Sequence, residues 1–244
     1  MTNLPRPVNP DPTAFRERLE RIRGLVADAA RRAGRDPAEI RLIGASKTVP
    51  VETLITAIRC GLRDLGENRV QEAEAKIDRV LEASEGGRPA WHLIGPLQSN
   101  KAARAARRFD RVHSVDRAEI AHALARHAGA AGRRLPVLIE VNVSGERSKF
   151  GVAPGQLEAL VTEVAALREL ELDGLMTLGP TPGTGQEARP AFARLRELRE
   201  RAERSCGCRL PELSMGMSGD FEAAIEEGST MVRIGTALFG ARAA

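Results

Sequence analysis

The chain has 244 residues, 42% hydrophobic and 29% charged, with a net charge of +4 at pH 7, which is ordinary for a globular protein able to bury a full core in one large domain or two small ones. The charges alternate in sign, as where Glu197, Glu200 and Glu203 interleave the arginines of residues 194–204, and aromatics make up 3% with no tyrosine, which argues against a nucleic-acid-binding surface. Three cysteines without a neighbouring ligand cluster make neither a disulfide framework nor a zinc site, and no apolar run is long enough for a membrane span or a signal peptide, so a cytoplasmic protein with reduced thiols is expected.

Prolines at positions 5, 7, 10 and 12 mark residues 1–12 as a loose tail, leaving residues 13–244 as one domain. The spacing of Phe15, Leu19, Ile22, Leu25 or Val26, and Ala29 predicts a helix over 14–32, stopped at Gly34. A strand over 41–46 and a helix over 51–60 follow, then a strand over 63–66 with a helix over 70–82. The third pair is 91–94 and 99–108; the fourth is 111–115 and 117–131, its helix capped by Asp116. The almost continuous aliphatic run of 136–143 reads as a strand buried on both faces, as in a parallel sheet. A helix over 154–170, a strand over 172–178 and a helix over 187–205 come next, then a strand over 212–215, a helix over 220–227 and an eighth strand over 231–234.

Eight strands alternating with helices, without a break in composition, predict an α/β fold: a single (β/α)8 TIM barrel with an extra N-terminal helix to cover the eighth strand. The alternative is an open doubly wound sheet, but no Gly-x-Gly-x-x-Gly sequence follows an early strand. A barrel places functional residues on the loops after its strands. Those loops carry Lys47; Glu67 and Asn68; Gln98, Ser99, Asn100 and Lys101; Asn142, Ser144 and Lys149; Met176 and Thr177; Ser214, Gly216, Ser218 and Gly219; and Arg233, Gly235 and Thr236.

Only four of the 37 basic residues are lysine, and Lys47 stands at the end of the first strand. A lysine amine can lose its proton and form an imine, which a guanidinium cannot, although an isolated lysine is more often simply solvated. Small residues after strands seven and eight let backbone N–H groups approach an anion, where barrels often bind phosphate; tight turns alone would also need them. A phosphate seat opposite a strand-end amine suits an aldehyde-bearing phosphate, and pyridoxal 5′-phosphate fits that pairing best. Arg233 beside a pyridine nitrogen would disfavour its protonation; a strand-end salt bridge or a direct phosphate contact is the other reading. His92 reads as a satisfied core histidine, Lys101 as solvated, and Lys149 as a residue that could reach the mouth. His113, His122 and His127 show no metal-ligand pattern.

Several stretches carry a further likeness. They are Gly44-Ala45-Ser46-Lys47-Thr48, Gly66-Glu67-Asn68-Arg69-Val70-Gln71-Glu72, the run from Trp91-His92 through Gly95-Pro96-Leu97-Gln98-Ser99-Asn100-Lys101, Val141-Asn142-Val143-Ser144, Gly174-Leu175-Met176-Thr177, and residues 213–220 and 228–240. In these, in order and across nearly the whole chain, the sequence resembles the pyridoxal 5′-phosphate homeostasis family, also known as YggS or proline synthetase co-transcribed homolog. The resemblance implies a barrel like the N-terminal domain of alanine racemase, with the cofactor held as an imine on Lys47. It further implies phosphate contacts at Ser214, Gly235 and Thr236, Arg233 facing the pyridine nitrogen, and Asn68 lining the pocket.

No catalytic residue is implied: the family holds the cofactor, is thought to deliver it to apo-enzymes, and balances vitamin B6 and amino-acid pools. An amino-acid racemase with Lys47 as a base is the alternative, though alanine racemase pairs its lysine with a tyrosine and adds a second domain. An aldolase-type barrel using Lys47 without a cofactor is a third. A barrel closes its own sheet edges, so a monomer is expected.

Overall fold

Eight strands, β1 (Arg41–Ala45), β2 (Asp64–Glu67), β3 (Ala90–Leu93), β4 (Arg111–Val115), β5 (Leu135–Glu140), β6 (Leu170–Met176), β7 (Glu212–Ser214) and β8 (Met231–Ile234), pair in chain order and close by pairing β8 with β1, all in parallel. This computed structural model describes residues 11–83, 87–146, 149–179 and 185–240. The helices are α1 (Pro12–Arg32), α2 (Val51–Arg59), α3 (Val70–Ala83), α4 (Ala102–Arg108), α5 (Ala118–Ala130), α6 (Leu157–Ala165), α7 (Gly185–Cys206), α8 (Phe221–Glu226) and α9 (Thr236–Phe239). The expected (β/α)8 barrel is the observed fold.

Glycines show which way each strand faces. A Cβ on Gly44 would strike Leu62 and the Phe239 ring, outside the barrel, whereas one on Gly66 would strike Ile94 and Ile43, inside it. The main apolar core lies in the outer layer, between strands and helices, and includes Leu65, Trp91, Val112, Val137, Leu175 and Val232. Ile43, Ile94, Leu138, Met176 and Met231 are buried apart from that layer, and strand register places them in the interior. Unusually, they share the interior with charged and polar side chains.

At Gly174 on β6 an added Cβ would lie 1.8 Å from the Glu212 carbonyl oxygen. Gly174→Ala must therefore part β6 from β7, at about 3 kcal/mol or more. For a chain of this size that lowers the thermal midpoint by roughly 6–12 °C. Calorimetry showing an unchanged midpoint would mean that the two strands can separate freely.

The residue-1–12 tail falls outside the described residues except for Asp11 and Pro12. Asp11 accepts a hydrogen bond from Thr13 N at 2.9 Å and Pro12 opens α1, so the helix begins two residues early. Val26, not Leu25, completes its buried stripe, and α1 packs on α8 and α9. This covers the β8 side of the barrel, where α9 spans only four residues.

Several further boundaries differ from the pattern-based ones. β5 ends at Glu140, after which Val141 makes a single bridge to Val152. α6 ends at Ala165, and β6 begins at Leu170 because Leu170 and Glu171 pair with Leu135 and Pro136. Asp116 does not cap α5; Arg117 occupies the cap position, and the Asp116 carboxylate instead accepts from its guanidinium at 2.6 Å.

Candidate functional site

β1 delivers Lys47 to the rim through a tightly held turn. Ser46 N donates to Gly66 O at 2.8 Å, and Ser46 Oγ donates to Glu67 Oε1 at 2.6 Å while lying 3.1 Å from Gly66 O. From α3, Lys76 Nζ donates to Ser46 O and to Glu67 Oε1, each at 2.7 Å. Glu67 is fully buried, and its Oε2 has no hydrogen-bond partner among the described residues. Thr48 then takes φ +64°, a costly conformation for a β-branched residue. Between clamp and strained turn, Lys47 is exposed and makes no hydrogen bond or ion pair with the described residues.

Small residues shape the opposite part of the rim. The Asp220 carboxylate accepts from Met217 N at 2.5 Å, and Asp220 N donates to Met217 O at 3.1 Å. That turn carries Ser218 toward the start of α9, where Ala237 N donates to Ser218 Oγ at 3.5 Å. Ser218, Gly235 and Thr236 are thus neighbours at the loops after β7 and β8.

Ser214 and Arg233 lie deeper and are both buried. Arg233 Nη1 donates to Ser214 O and Oγ, both at 2.7 Å, and Nη2 donates to Thr177 O at 2.8 Å. Burial lowers the Arg233 pKa to about 10, against the upward pull of Glu140 and Asp220, so it remains charged at neutral pH. The Ser214 hydroxyl faces this guanidinium and His113, not the α9 loop.

Glu140, at the end of β5, is buried, and its pKa rises to about 7 through burial and the nearby Asp116 carboxylate, with Arg233 opposing. In the unfolded chain it would ionise near the ordinary value of 4.5. Between those pH values the unfolded chain has released this proton and the folded one has not. Glu140 therefore costs stability as pH rises through that window, up to about 3 kcal/mol once both states are ionised. Glu140→Gln should remove this slope and stabilise the protein by that order at about pH 8. Parallel unfolding curves for variant and wild type across the window would refute it.

The remaining candidates play local parts. Asn142 knots its loop, donating to Glu146 O at 2.9 Å and accepting from Gly145 N and Ser144 Oγ. Lys149 donates to Glu146 Oε1 at 2.7 Å and Gly179 O at 2.9 Å, which holds its amine between that loop and the segment after β6. Asn68 is half-buried, and its backbone packs against Gly95. Met176 is an interior side chain, while Gln98, Ser99 and Asn100 are exposed. His92 is a satisfied interior histidine, bonded to Asp64 and His113. Sequence reasoning missed Lys76, whose only signal was its scarcity as a lysine, and Glu140, which read as part of an apolar strand. No group of three or more His, Cys, Asp or Glu side chains suited to a metal occurs among the described residues. No helix among them is long and apolar enough to cross a membrane.

A closed barrel with a rim lysine and a buried strand-end arginine defines a protein of the alanine racemase N-terminal-domain class, whose family model matches residues 14–243. Within that class, the chain belongs to the pyridoxal phosphate homeostasis protein family. It is 48% identical over 227 residues to the Pseudomonas aeruginosa pyridoxal phosphate homeostasis protein, covering 93% of this chain and 95% of that one. The Escherichia coli K12 relative of the same name is 43% identical over 224 residues, covering 92% and 95%. PipY of Synechococcus elongatus PCC7942, solved with and without PLP, superposes with TM-score 0.82 at 36% identity, covering 93% of this chain and all of PipY. A Clostridium difficile alanine racemase shares the fold at TM-score 0.70 and 16% identity, over 57% of its length.

Proposed function

We propose that the protein binds pyridoxal 5′-phosphate as an imine on Lys47 and serves in homeostasis of that cofactor and of amino-acid pools. The observation that carries this reading is the exposed, uncommitted Lys47 amine on its clamped turn, at the same rim as the β7 and β8 loops. PipY, solved with PLP bound, supports it. The residues fit the group. Backbone N–H groups at Gly235 and Thr236, with the Ser218 hydroxyl, suit a phosphate. Asn68 lines the pocket beside Lys47. Arg233 has Nε–H and one Nη2 N–H without a partner among the described residues, and faces the ring nitrogen, while Ser214 acts on the ligand through Arg233.

When bound, the cofactor supplies an electron sink, which a charged arginine at its ring nitrogen weakens by disfavouring the pyridinium. Holding the cofactor is therefore favoured over carbanion chemistry. Handover to apo-enzymes would occur at the mouth, where Met217 and Phe150 are 39% and 55% exposed. We further propose a monomer, because the closed barrel leaves no sheet edge to pair, and a cytoplasmic location, because the three cysteines are free thiols.

The test is borohydride reduction of protein incubated with pyridoxal phosphate, followed by peptide mass mapping. The added mass should fall on the peptide containing Lys47. Label on Lys149 would move the linkage, and a protein that stays colourless would favour an aldolase-type Schiff base without cofactor. A racemase using Lys47 as a base needs a second base, and the chain contains no tyrosine. Lys47-dependent exchange of an amino acid's α-proton with solvent would establish that alternative.

A further inference from the structure

TIM barrels ordinarily fill their interiors with branched apolar side chains. Here a line of polar groups crosses the interior. Arg233 Nη1 donates to Ser214 Oγ at 2.7 Å, and Ser214 Oγ lies 2.9 Å from His113 Nδ1. His113 Nε2 lies 2.9 Å from His92 Nδ1, and His92 Nε2 lies 3.0 Å from Asp64 Oδ1. Strand register turns all five side chains inward, from β8, β7, β4, β3 and β2.

The two ends have fixed roles, because a guanidinium only donates and a carboxylate only accepts. Each group between them must therefore accept from the Arg233 side and donate toward Asp64. One proton arrangement does this: Ser214 O–H points to His113 Nδ1, and both imidazoles are neutral with the proton on Nε2. An imidazolium at either position would leave the Ser214 hydrogen without an acceptor in the line. The electrostatics agree. Burial is the largest influence lowering the pKa of both histidines, the Arg111 and Arg41 charges act the same way, and Arg233 adds to this at His113; Asp64 opposes it at His92.

We propose that Ser214, His113 and His92 are positioning residues: they form a one-way hydrogen-bond wire that orients the Arg233 guanidinium at the barrel mouth from Asp64 at the opposite face. The wire and two carbonyls hold three of the guanidinium N–H groups and leave the others to face a ligand. At its far end Asp64, with Arg41, borders a cavity of about 480 Å³. Other charged groups around the line are Arg41 on β1, Arg111 on β4, Glu140 on β5, Asp173 on β6, Glu212 on β7 and Asp220 just before α8. Of these, Arg111 is held by Asp173 at 3.0 Å and Glu212 at 3.5 Å. The role of Arg233 toward a ligand rests on the function proposed above; the wire itself does not.

The test begins with ¹⁵N NMR of the full-length, ligand-free protein, assigned with His92→Gln and His113→Gln. Both histidines should appear as neutral Nε2–H tautomers and stay so from about pH 6 to pH 8, where an unconstrained histidine titrates. An Nδ1–H tautomer or a titration at either residue in that range would overturn the wire. Two changes at the far end then separate positioning from bulk structure. Asp64→Leu removes the terminal acceptor and should shift the tautomer signals of both histidines and the side-chain resonance of Arg233, identified by its loss in Arg233→Lys. Asp64→Asn keeps an acceptor oxygen and should restore the wild-type pattern. Unchanged His113 and Arg233 signals in a folded Asp64→Leu protein would refute the positioning role. With pyridoxal phosphate added, the pH midpoint of the visible band should move in Asp64→Leu and not in Asp64→Asn. If the wild type takes up no colour, the cofactor reading fails, and the NMR result still decides the wire.

Discussion

Lys47→Ala is expected to abolish essentially all of the visible absorption that the wild type acquires with pyridoxal phosphate. The band requires an imine, and an imine requires an amine that can shed its proton and reach the carbonyl. Lys47 is exposed at the rim and uncommitted, whereas Lys149 is bonded to Glu146 and Gly179 O, and Lys76 to Ser46 O and Glu67. An exposed side chain without partners contributes little to stability, so the unfolding free energy should stay within about 0.5 kcal/mol of wild type. The measurement is an absorption spectrum before and after borohydride, with thermal unfolding as the control. Colour retained by a folded variant would remove Lys47 from the role.

Lys76→Met should strongly destabilise the protein. Among the described residues Lys76 is the only cation paired with the Glu67 carboxylate, whose other oxygen is already buried without a partner among them. Removing one member of a buried pair leaves the other charge uncompensated, at about 3–5 kcal/mol. For a chain of this length that corresponds to roughly 6–20 °C in the thermal midpoint. Combining Lys76→Met with Glu67→Leu should recover most of the loss, because replacing both charges removes the penalty. The double variant still lacks the bond from Nζ to Ser46 O and should form its imine on Lys47 more slowly than wild type. Stopped-flow mixing with pyridoxal phosphate would measure this. A double variant no more stable than Lys76→Met would show that the pair is not what the single change disrupts.

The two predictions concern different kinds of residue, and they were unequally legible in the sequence. Lys47 could be picked out because its signal is local: a lysine in an arginine-rich chain, after an apolar run and before a turn. Lys76 could not. It lies in the middle of an amphipathic helix where a lysine usually means a solvated face, and only the packing of α3 against the ends of β1 and β2 brings it to Glu67.

Much of the architecture followed from the sequence by itself. Apolar periodicity and turn residues are short-range properties, so the eight strands, most of the helices and the choice of rim residues could be read from them. Errors gathered at element ends, as at Leu170, where pairing with Leu135 decides the boundary. Ser214 shows the limit more sharply: as a small residue ending a strand it could be picked out, but the partners of its hydroxyl, His113 and Arg233 inside the barrel, could not. Which face a strand residue presents follows from period-two alternation, but what it meets there depends on the register of eight strands and on their closure. Asp64, His92, His113, Ser214 and Arg233 are far apart in the chain, and no spacing rule links them. Only barrel closure, by pairing β8 with β1, sets them in one hydrogen-bonded line, because the partners of a buried polar group are fixed by three-dimensional packing.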